Sequence, residues 1–284
     1  MTSRRYVGIL GFPLGHTLSP VFQQAALDYL GLDVLYKVWE TPSEALANKV
    51  ASLRAKDVLG ANVTIPHKEA VIPLMDDIDA AAQRIRAVNT IVNQEGSLKG
   101  YNTDYYGFLK GLEQAGCEPH GCEVLLLGAG GAARAVACAL LDNNIRSLTI
   151  VNRGQSRAEA LSSALIEMYP SDKVTVRPWE RDTIKGSLAV SHLVVNCTSI
   201  GMKGESESRS PLDGLTIPQE TVIYDLVYNP PETALLRQAA DAGAKRIPGL
   251  PMLIHQGAAA FELWTGQKAP VDVMMNAATE ALNR

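Results

Sequence analysis

Two sets of residues in this 284-residue chain have the types and spacing to do chemistry. The first is a glycine-rich turn, Gly128-Ala129-Gly130-Gly131-Ala132-Ala133, which follows an apolar run and opens a helical pattern. Gly128 permits a tight turn, Gly130 lets the backbone approach a pyrophosphate with no Cβ in the way, and Ala133 keeps the helix close to the strand. The helix start then offers free N–H groups and a partial positive charge to phosphates. A glycine turn that only packs is the plain alternative. The second set is polar and spread between Thr17 and Asp104: Thr17, Ser19, Asn62, Lys68, Asn89 and Asp104. Hydroxyls and amides around a lysine suit a small, polyhydroxylated anion beside a proton donor. A dinucleotide turn joined to such a set implies a dehydrogenase.

The cofactor is read at the end of the next strand. About twenty residues past the turn, an NAD enzyme places an acidic residue on the ribose 2′-OH. This chain has Asn152-Arg153 there, with Arg157 close behind. A carboxylate would repel a 2′-phosphate, whereas a guanidinium binds one with charge-assisted bonds and stacks on adenine. NADP is therefore expected over NAD. The bland reading of Arg153 and Arg157 is a solvated loop and helix start.

These residues need elements to hold them. Residues 5–10 read as a buried strand. Ser19-Pro20 gives an N-cap with proline at the first helical position. The helix is expected to bury Val21, Phe22, Ala25, Ala26, Tyr29 and Leu30 and to stop at Gly31. A strand at 34–38 precedes Thr41-Pro42-Ser43-Glu44, a capping-box pattern in which Glu44 reaches back to the Thr41 amide. Leu46, Val50 and Leu53 form the inner face of the next helix. A third strand, 61–65, ends at Pro66 and carries Asn62 and Thr64 on one side. Two short helical stretches follow, then a hairpin of 87–92 with 97–100 turning through Gln94-Glu95-Gly96.

From Asp104 the pattern becomes regular. A helix at 105–115 leads to a strand at 123–127, the glycine turn with its helix, and a strand at 148–151. A helix at 157–168, strands at 173–176, 192–196 and 221–226, and a helix at 231–242 come next. Helices return from Met252 through Trp264, a core residue, and over 271–282. The expected fold class is α/β, with two α/β domains. An N-terminal substrate-binding and catalytic domain takes residues 1–104 and 250–284, with the C-terminal helices returning to it. A Rossmann-type NADP-binding domain takes residues 105–249. The cofactor belongs to the second domain and the substrate to the first.

Composition excludes several classes. A 46% hydrophobic content with 20% charged residues is that of a globular protein, and a net charge of −4 argues against a nucleic-acid partner. The most apolar window, 124–141, holds three glycines and Arg134, which fits a strand–turn–helix rather than a membrane span. The four cysteines, Cys117, Cys122, Cys138 and Cys197, form no CxxC or Cys/His pattern, so no metal is expected. Reduced thiols in a cytoplasmic protein are the default, although Cys117 and Cys122 are close enough in sequence to pair. A monomer and a homodimer stay equally open.

The chain strongly resembles the shikimate dehydrogenase family, including its quinate/shikimate members. The resemblance runs nearly end to end. It rests on the Gly11–Pro20 turn, on Asn62-Val-Thr-Ile-Pro-His-Lys68, on Ala-Val-Asn89-Thr and on Asn102-Thr-Asp104. The second half adds the Gly128 turn through Arg134, Asn152-Arg153, and Asn196-Cys-Thr-Ser-Ile-Gly-Met202. Tyr228-Asn-Pro-Pro-Glu-Thr233 and Gly249-Leu-Pro-Met252-Leu-Ile-His-Gln256 complete it. It implies NADP-dependent, reversible reduction of 3-dehydroshikimate to shikimate in aromatic amino-acid and chorismate biosynthesis, with Lys68 and Asp104 as the catalytic pair.

The same resemblance puts Thr17 and Ser19 on the substrate carboxylate. Asn62, Thr64, Asn89 and Gln256 go to the ring hydroxyls or the carboxylate, and Tyr228 sits near the carboxylate and the nicotinamide. Gly128, Ala129, Gly130, Gly131, Ala132, Asn152, Arg153, Arg157 and Thr198 hold the dinucleotide, and Gly249 and Met252 contact its nicotinamide. Taken alone, Ser19 is better read as a cap, and Tyr228 and Met252 as core. His16 and His67 lie in the motifs but are not expected to do chemistry. The chain departs from the family's Ser-x-Ser turn with Thr17-x-Ser19, whose added methyl tightens the pocket and favours shikimate over quinate. The alternatives are a dual-specificity quinate/shikimate enzyme, possibly NAD-using, and a non-catalytic NADP sensor that would have lost the Lys68–Asp104 pair.

Overall fold

The computed structural model describes residues 4–15 and 17–284, so His16 lies outside the described residues. In chain order the strands and helices are β1 (Arg5–Gly11), α1 (Ser19–Tyr29), β2 (Val34–Glu40), α2 (Leu46–Ser52), β3 (Val58–Val63), β4 (Asp77–Ile78), α3 (Ala80–Ile85), β5 (Thr90–Gln94), β6 (Ser97–Tyr101) and α4 (Asp104–Gln114). Then come β7 (Glu123–Leu127), α5 (Gly131–Asp142), β8 (Ser147–Val151), α6 (Gln155–Ile166), β9 (Val174–Arg177), α7 (Arg181–Val190), β10 (Leu193–Asn196), β11 (Val222–Asp225), α8 (Ala234–Asp241), β12 (Lys245–Ile247), α9 (Leu250–Thr265) and α10 (Val271–Leu282). They form two compact units, Met1–Gly107 with Ile254–Arg284, and Phe108–Leu253. Among the described residues no helix is long and apolar enough to cross a membrane.

The first unit is built on a six-stranded mixed sheet in the order β2-β1-β3-β5-β6-β4. β2, β1 and β3 run parallel, with Ile9 beside Asn62 and Leu10 beside Val63. β5 then runs antiparallel to both β3 and β6, pairing Asn62 with Thr90 and Thr90 with Tyr101. This register brings three distant segments to one end of the sheet: the residues after β3, those before β5 and those after β6. The β5–β6 turn uses Glu95 and Gly96, both at positive φ (55° and 97°), as a two-residue hairpin requires. Leu10, Ala61, Val63, Val88, Ile91 and Leu98 form the core on the α2 side, with Leu46, Val50 and Leu53 from that helix and the residue after it.

The C-terminal residues complete this unit. α10 packs on α1. On α9, Gly257 lies where a Cβ would strike the Phe22 ring at 2.5 Å, and the Gln23 amide donates to the Gly257 carbonyl at 2.9 Å. Trp264 is buried and donates its indole N–H to the Ile91 carbonyl at 2.9 Å.

The second unit is a six-stranded parallel sheet in the order β12-β11-β10-β7-β8-β9. This is the doubly wound Rossmann order, and its switch point lies between β7 and β10. Leu125, Leu127, Val151, Val194 and Ile223 fill one face against Ile184, Leu188, Leu235 and Ala239.

Several local expectations fail for tertiary reasons. Ser19 does not cap α1: it is the first helical residue, the cap position falls on Leu18, and no side chain caps it. The buried face of α1 is Ser19, Phe22, Gln23, Ala26 and Leu27, while Val21 and Tyr29 are 41% and 68% exposed. The buried stripe is rotated because polar Gln23 finds its partner on α9. The Thr41–Glu44 capping box does not form, because the Thr41 amide donates to the Gly11 carbonyl at 2.9 Å. β3 stops at Val63, and Thr64 lies just beyond it with its amide on the Leu10 carbonyl. α7 and β12 were not legible: α7 buries only Ile184 and Leu188, and β12 is three residues long.

Candidate active site

Lys68 Nζ donates to Asp104 Oδ2 at 2.5 Å, with side chains 14% and 6% exposed. Backbone fixes both residues. The Lys68 carbonyl accepts from the Val88 amide at 2.7 Å, one residue before Asn89. Asp104 opens α4, where the helix N-terminus favours a carboxylate, and its own amide donates to Asn102 Oδ1 at 3.1 Å. His67, beside Lys68, is buried and bonds the Thr41 carbonyl through Nε2 at 2.6 Å. A carbonyl only accepts, so Nε2 carries the proton. That bond ties the Lys68 loop to the end of β2 and leaves His67 an anchoring role.

Asn89 is the hub of the site. Its Nδ2 lies 2.9 Å from Thr103 Oγ1, 2.9 Å from Asp104 Oδ1 and 3.2 Å from Gln256 Oε1. Its Oδ1 accepts from the Thr103 amide at 2.7 Å. A backbone N–H only donates, so this bond settles which way the Asn89 amide faces. Both carboxylate oxygens of Asp104 are thereby engaged, one by Lys68 and one by Asn89.

A second buried chain runs alongside. Tyr36, on β2, donates its hydroxyl to Asn62 Oδ1 at 2.8 Å and has Ser19 as its other hydrogen-bonding neighbour. Burial pushes the Tyr36 phenol up, with the Ser19 bond opposing it, so it stays a neutral donor. Asn62 Nδ2 reaches Thr90 Oγ1 at 3.3 Å. Thr17 Oγ1 accepts the Ser19 amide at 3.3 Å. Thr64 is half-buried, and among the described residues its hydroxyl has no protein partner. The structure thus brings Ser19, Asn62, Lys68, Asn89, Asp104 and Gln256 into one polar network. Tyr228 lies in the other unit, half-buried after β11.

In that unit the glycine turn follows β7 directly. Gly128 has φ of +112°, and a Cβ there would meet the Cys197 backbone at 3.0 Å. Gly130 is exposed, and a Cβ would meet nothing within 4 Å, so the space in front of it is open. No side chain caps α5, which leaves its first amides to a ligand. At the end of β8, Asn152 Nδ2 holds the Gly154 carbonyl at 2.8 Å, while Arg153 and Arg157 are exposed and have no acidic partner among the described residues.

Comparison with known proteins decides the family. Residues 9–91 match the shikimate dehydrogenase substrate binding domain, residues 112–212 match shikimate / quinate 5-dehydrogenase, and residues 249–279 match the shikimate 5′-dehydrogenase C-terminal domain. A shikimate dehydrogenase (NADP(+)) of Symbiobacterium thermophilum is 45% identical, over 98% of this chain and 95% of its own. The chain belongs to the shikimate dehydrogenase family. A shikimate dehydrogenase solved in complex with NADP+ superimposes with a TM-score of 0.90 at 36% identity, covering 99% of this chain and 96% of that one. Another, from Thermus thermophilus in complex with NADP(H) and shikimate, gives 0.85 at 39% identity, covering 98% and 99%.

The residues of this chain fit an NADP cofactor. The open face of Gly130 and the uncapped start of α5 suit a pyrophosphate, and the unpaired Arg153 and Arg157 suit a 2′-phosphate. Bonded partners escaped the sequence reading. Thr103 sits inside the Asn102-Thr103-Asp104 motif but received no role, and it now holds Asn89. Thr90 lies next to Asn89 and bonds it at 3.1 Å. Tyr36 carried one signal, since a tyrosine in a buried strand must find a partner for its hydroxyl.

Proposed function

We propose that the chain catalyses the reversible, NADP-dependent interconversion of 3-dehydroshikimate and shikimate. The observation that carries this reading is the Lys68–Asp104 pair braced by Asn89, in a chain that also holds an open Gly128–Gly130 turn with no acid after β8. Bound NADPH supplies the hydride. Lys68 delivers a proton from Nζ to the ketone oxygen as that oxygen gains charge, and accepts it back in the oxidative direction. Asp104 Oδ2 aims the ammonium, and Asn89 fixes the carboxylate from its other oxygen.

Thr17 and Ser19 are assigned to the substrate carboxylate. Asn62, Thr64, Asn89 and Gln256 are assigned to the ring hydroxyls or the carboxylate, and Tyr228 to the neighbourhood of the carboxylate and nicotinamide. Gly128 to Ala132 receive the pyrophosphate, Asn152, Arg153 and Arg157 the 2′-phosphate side, and Thr198, Gly249 and Met252 the nicotinamide half. Residues 1–104 with 250–284 then act as the substrate and catalytic domain, and residues 105–249 as the NADP domain. Four free cysteines and use of NADPH fit a cytoplasmic enzyme.

The test pairs shikimate and quinate, each with NADP+ and NAD+, and follows formation of the reduced cofactor. Turnover with shikimate and NADP+ well above the other three is expected. Preference for quinate or NAD+ would overturn the reading of Thr17 or of Arg153, and no turnover at all would overturn the activity.

A further inference from the structure

Asp225 ends β11 with no exposed surface. Its Oδ1 accepts from Asn196 Nδ2 at 2.8 Å and from the Val227 amide at 3.1 Å, and its Oδ2 accepts from the Thr233 hydroxyl at 2.6 Å. Among the described residues it has no ion-pair partner. Burial pushes its pKa up to about 6, while the Thr233, Val227 and Asn196 donors pull it back. A buried carboxylate without a counter-ion is costly, and this chain keeps one where an apolar side chain would fill the space.

The partners explain what the carboxylate does. Asn196 ends β10, and its Oδ1 accepts from the Thr198 amide at 3.0 Å and the Thr198 hydroxyl at 2.7 Å. Thr198 Oγ1 in turn accepts the Ile200 amide at 3.1 Å. Val227 leads to Tyr228. Thr233 caps α8, accepting the Leu236 amide at 3.1 Å. Gly249 presses on the same segment: a Cβ there would lie 2.5 Å from the Leu226 carbonyl oxygen and 2.9 Å from that of Asp225. One carboxylate therefore fastens the segments that carry or abut Thr198, Tyr228 and Gly249. These residues follow the C-terminal ends of β10, β11 and β12, the side on which doubly wound sheets bind ligands.

We propose that Asp225 is a positioning residue for the cofactor: it holds the 196–200 and 226–228 segments in the arrangement that receives the nicotinamide half of NADP(H). This rests on the assignment of Thr198, Tyr228 and Gly249 to that half. The hydrogen bonds of Asp225 itself run to Asn196, Val227 and Thr233, none of which is among the groups after β7 and β8 assigned to the adenosine half. Asp225→Ala removes an acceptor from three buried donors, of which Asn196 Nδ2 alone keeps another, the Ile200 carbonyl at 3.2 Å. Asp225→Asn keeps an oxygen for Asn196 and Val227 and offers its amide to the Thr233 oxygen.

The experiment measures equilibrium binding of NADP+ and of 2′,5′-ADP, a probe of the adenosine half alone, by titration calorimetry. Asp225→Ala is expected to raise the NADP+ Kd about tenfold or more, with 2′,5′-ADP changed less than about twofold and Asp225→Asn within about threefold of the parent. Thr233→Val, which removes one donor to Asp225 together with the α8 cap, is the milder variant should Asp225→Ala not fold, and is expected to weaken NADP+ about threefold. A folded Asp225→Ala or Thr233→Val protein with parental NADP+ affinity overturns the proposal, as does equal weakening of both ligands. Lack of NADP+ binding by the parent would sink the cofactor reading itself, and Thr198→Ala with unchanged NADP+ affinity would sink the assignment beneath the proposal.

Discussion

Lys68→Ala separates what the lysine does for the reaction from what it does for the fold. Loss of a positioned proton donor costs about 10²- to 10⁴-fold in kcat, or about 3 to 5 kcal/mol of barrier. The fold loses separately, because Asp104 is left at 6% side-chain exposure with Asn89 as its remaining side-chain partner. Breaking a fully buried pair costs roughly 3–5 kcal/mol. Here Lys68 is 14% exposed and the α4 N-terminus supports the carboxylate, so about 1–3 kcal/mol is expected. The KM for shikimate should move less than about threefold, since the ring contacts rest on other residues. Adding Asp104→Asn neutralises the stranded carboxylate. The double variant should recover most of the lost stability and none of the lost kcat. Steady-state kinetics and urea denaturation on the same preparations read both. A folded Lys68→Ala protein with kcat within about tenfold of the parent would refute the catalytic assignment. Recovery of kcat in the double variant would show that the charge on Asp104, not the proton on Lys68, limits the rate.

Arg153→Ala should raise the KM for NADP+ by about tenfold or more and that for NAD+ by clearly less, because the proposed charge-assisted bond to a 2′-phosphate is lost for NADP+ alone whereas stacking on adenine is lost for both; equal changes would undo the cofactor argument. Gly60→Ala should destabilise the first unit by about 3 kcal/mol or more, since Gly60 sits at φ +152° and a Cβ would lie 2.0 Å from the Ile91 carbonyl oxygen and 2.7 Å from the Trp264 nitrogen. A urea midpoint within error of the parent would contradict that geometry. Asp225, held at about 6 against an ordinary 3.8, takes up a proton in the folded state before the unfolded one does. Its contribution to stability is therefore full below about pH 4 and falls by about 3 kcal/mol as pH rises through 6. Asp225→Asn should lose that slope, so the stability difference between parent and variant should shift in the variant's favour from pH 4.5 to about pH 8; a difference that stays flat with pH would refute the shift.

The Rossmann-type unit was the more legible half. Each of its first strands is an apolar run bounded by glycine or charge, and 123–127 was placed to the residue. The glycine turn announced the switch point because only glycine tolerates φ of +112° beside the Cys197 backbone. What failed to show was short or weakly patterned: α7 presents only two buried apolar residues, and β12 forms because β11 is there to pair with. In the first unit the hairpin was clear from its turn residues, but the Thr41–Glu44 box was a false signal. A local capping pattern competes with every other acceptor in the fold, and here Gly11 on the neighbouring strand won.

The same competition explains which parts of the site were visible. Lys68, Asn89 and Asp104 sit in recognisable motifs, so their types and order were enough to nominate them. Their convergence depends on strand register, since β5 reverses against β3 and brings Asn89 beside the residues that follow β6. No single segment encodes that. The supporting residues are harder still, because each is chemically ordinary. A threonine at 103 or a tyrosine at 36 acquires a role only once the fold leaves it buried beside one acceptor. Ser19 shows the reverse case. Its sequence setting says helix cap, yet the helix begins one residue earlier than a cap would allow, and its hydroxyl turns to Tyr36 instead. Released from capping, the hydroxyl joins the buried network through Tyr36 and Asn62, so the failed local prediction is itself the physical reason that Ser19 reaches the site.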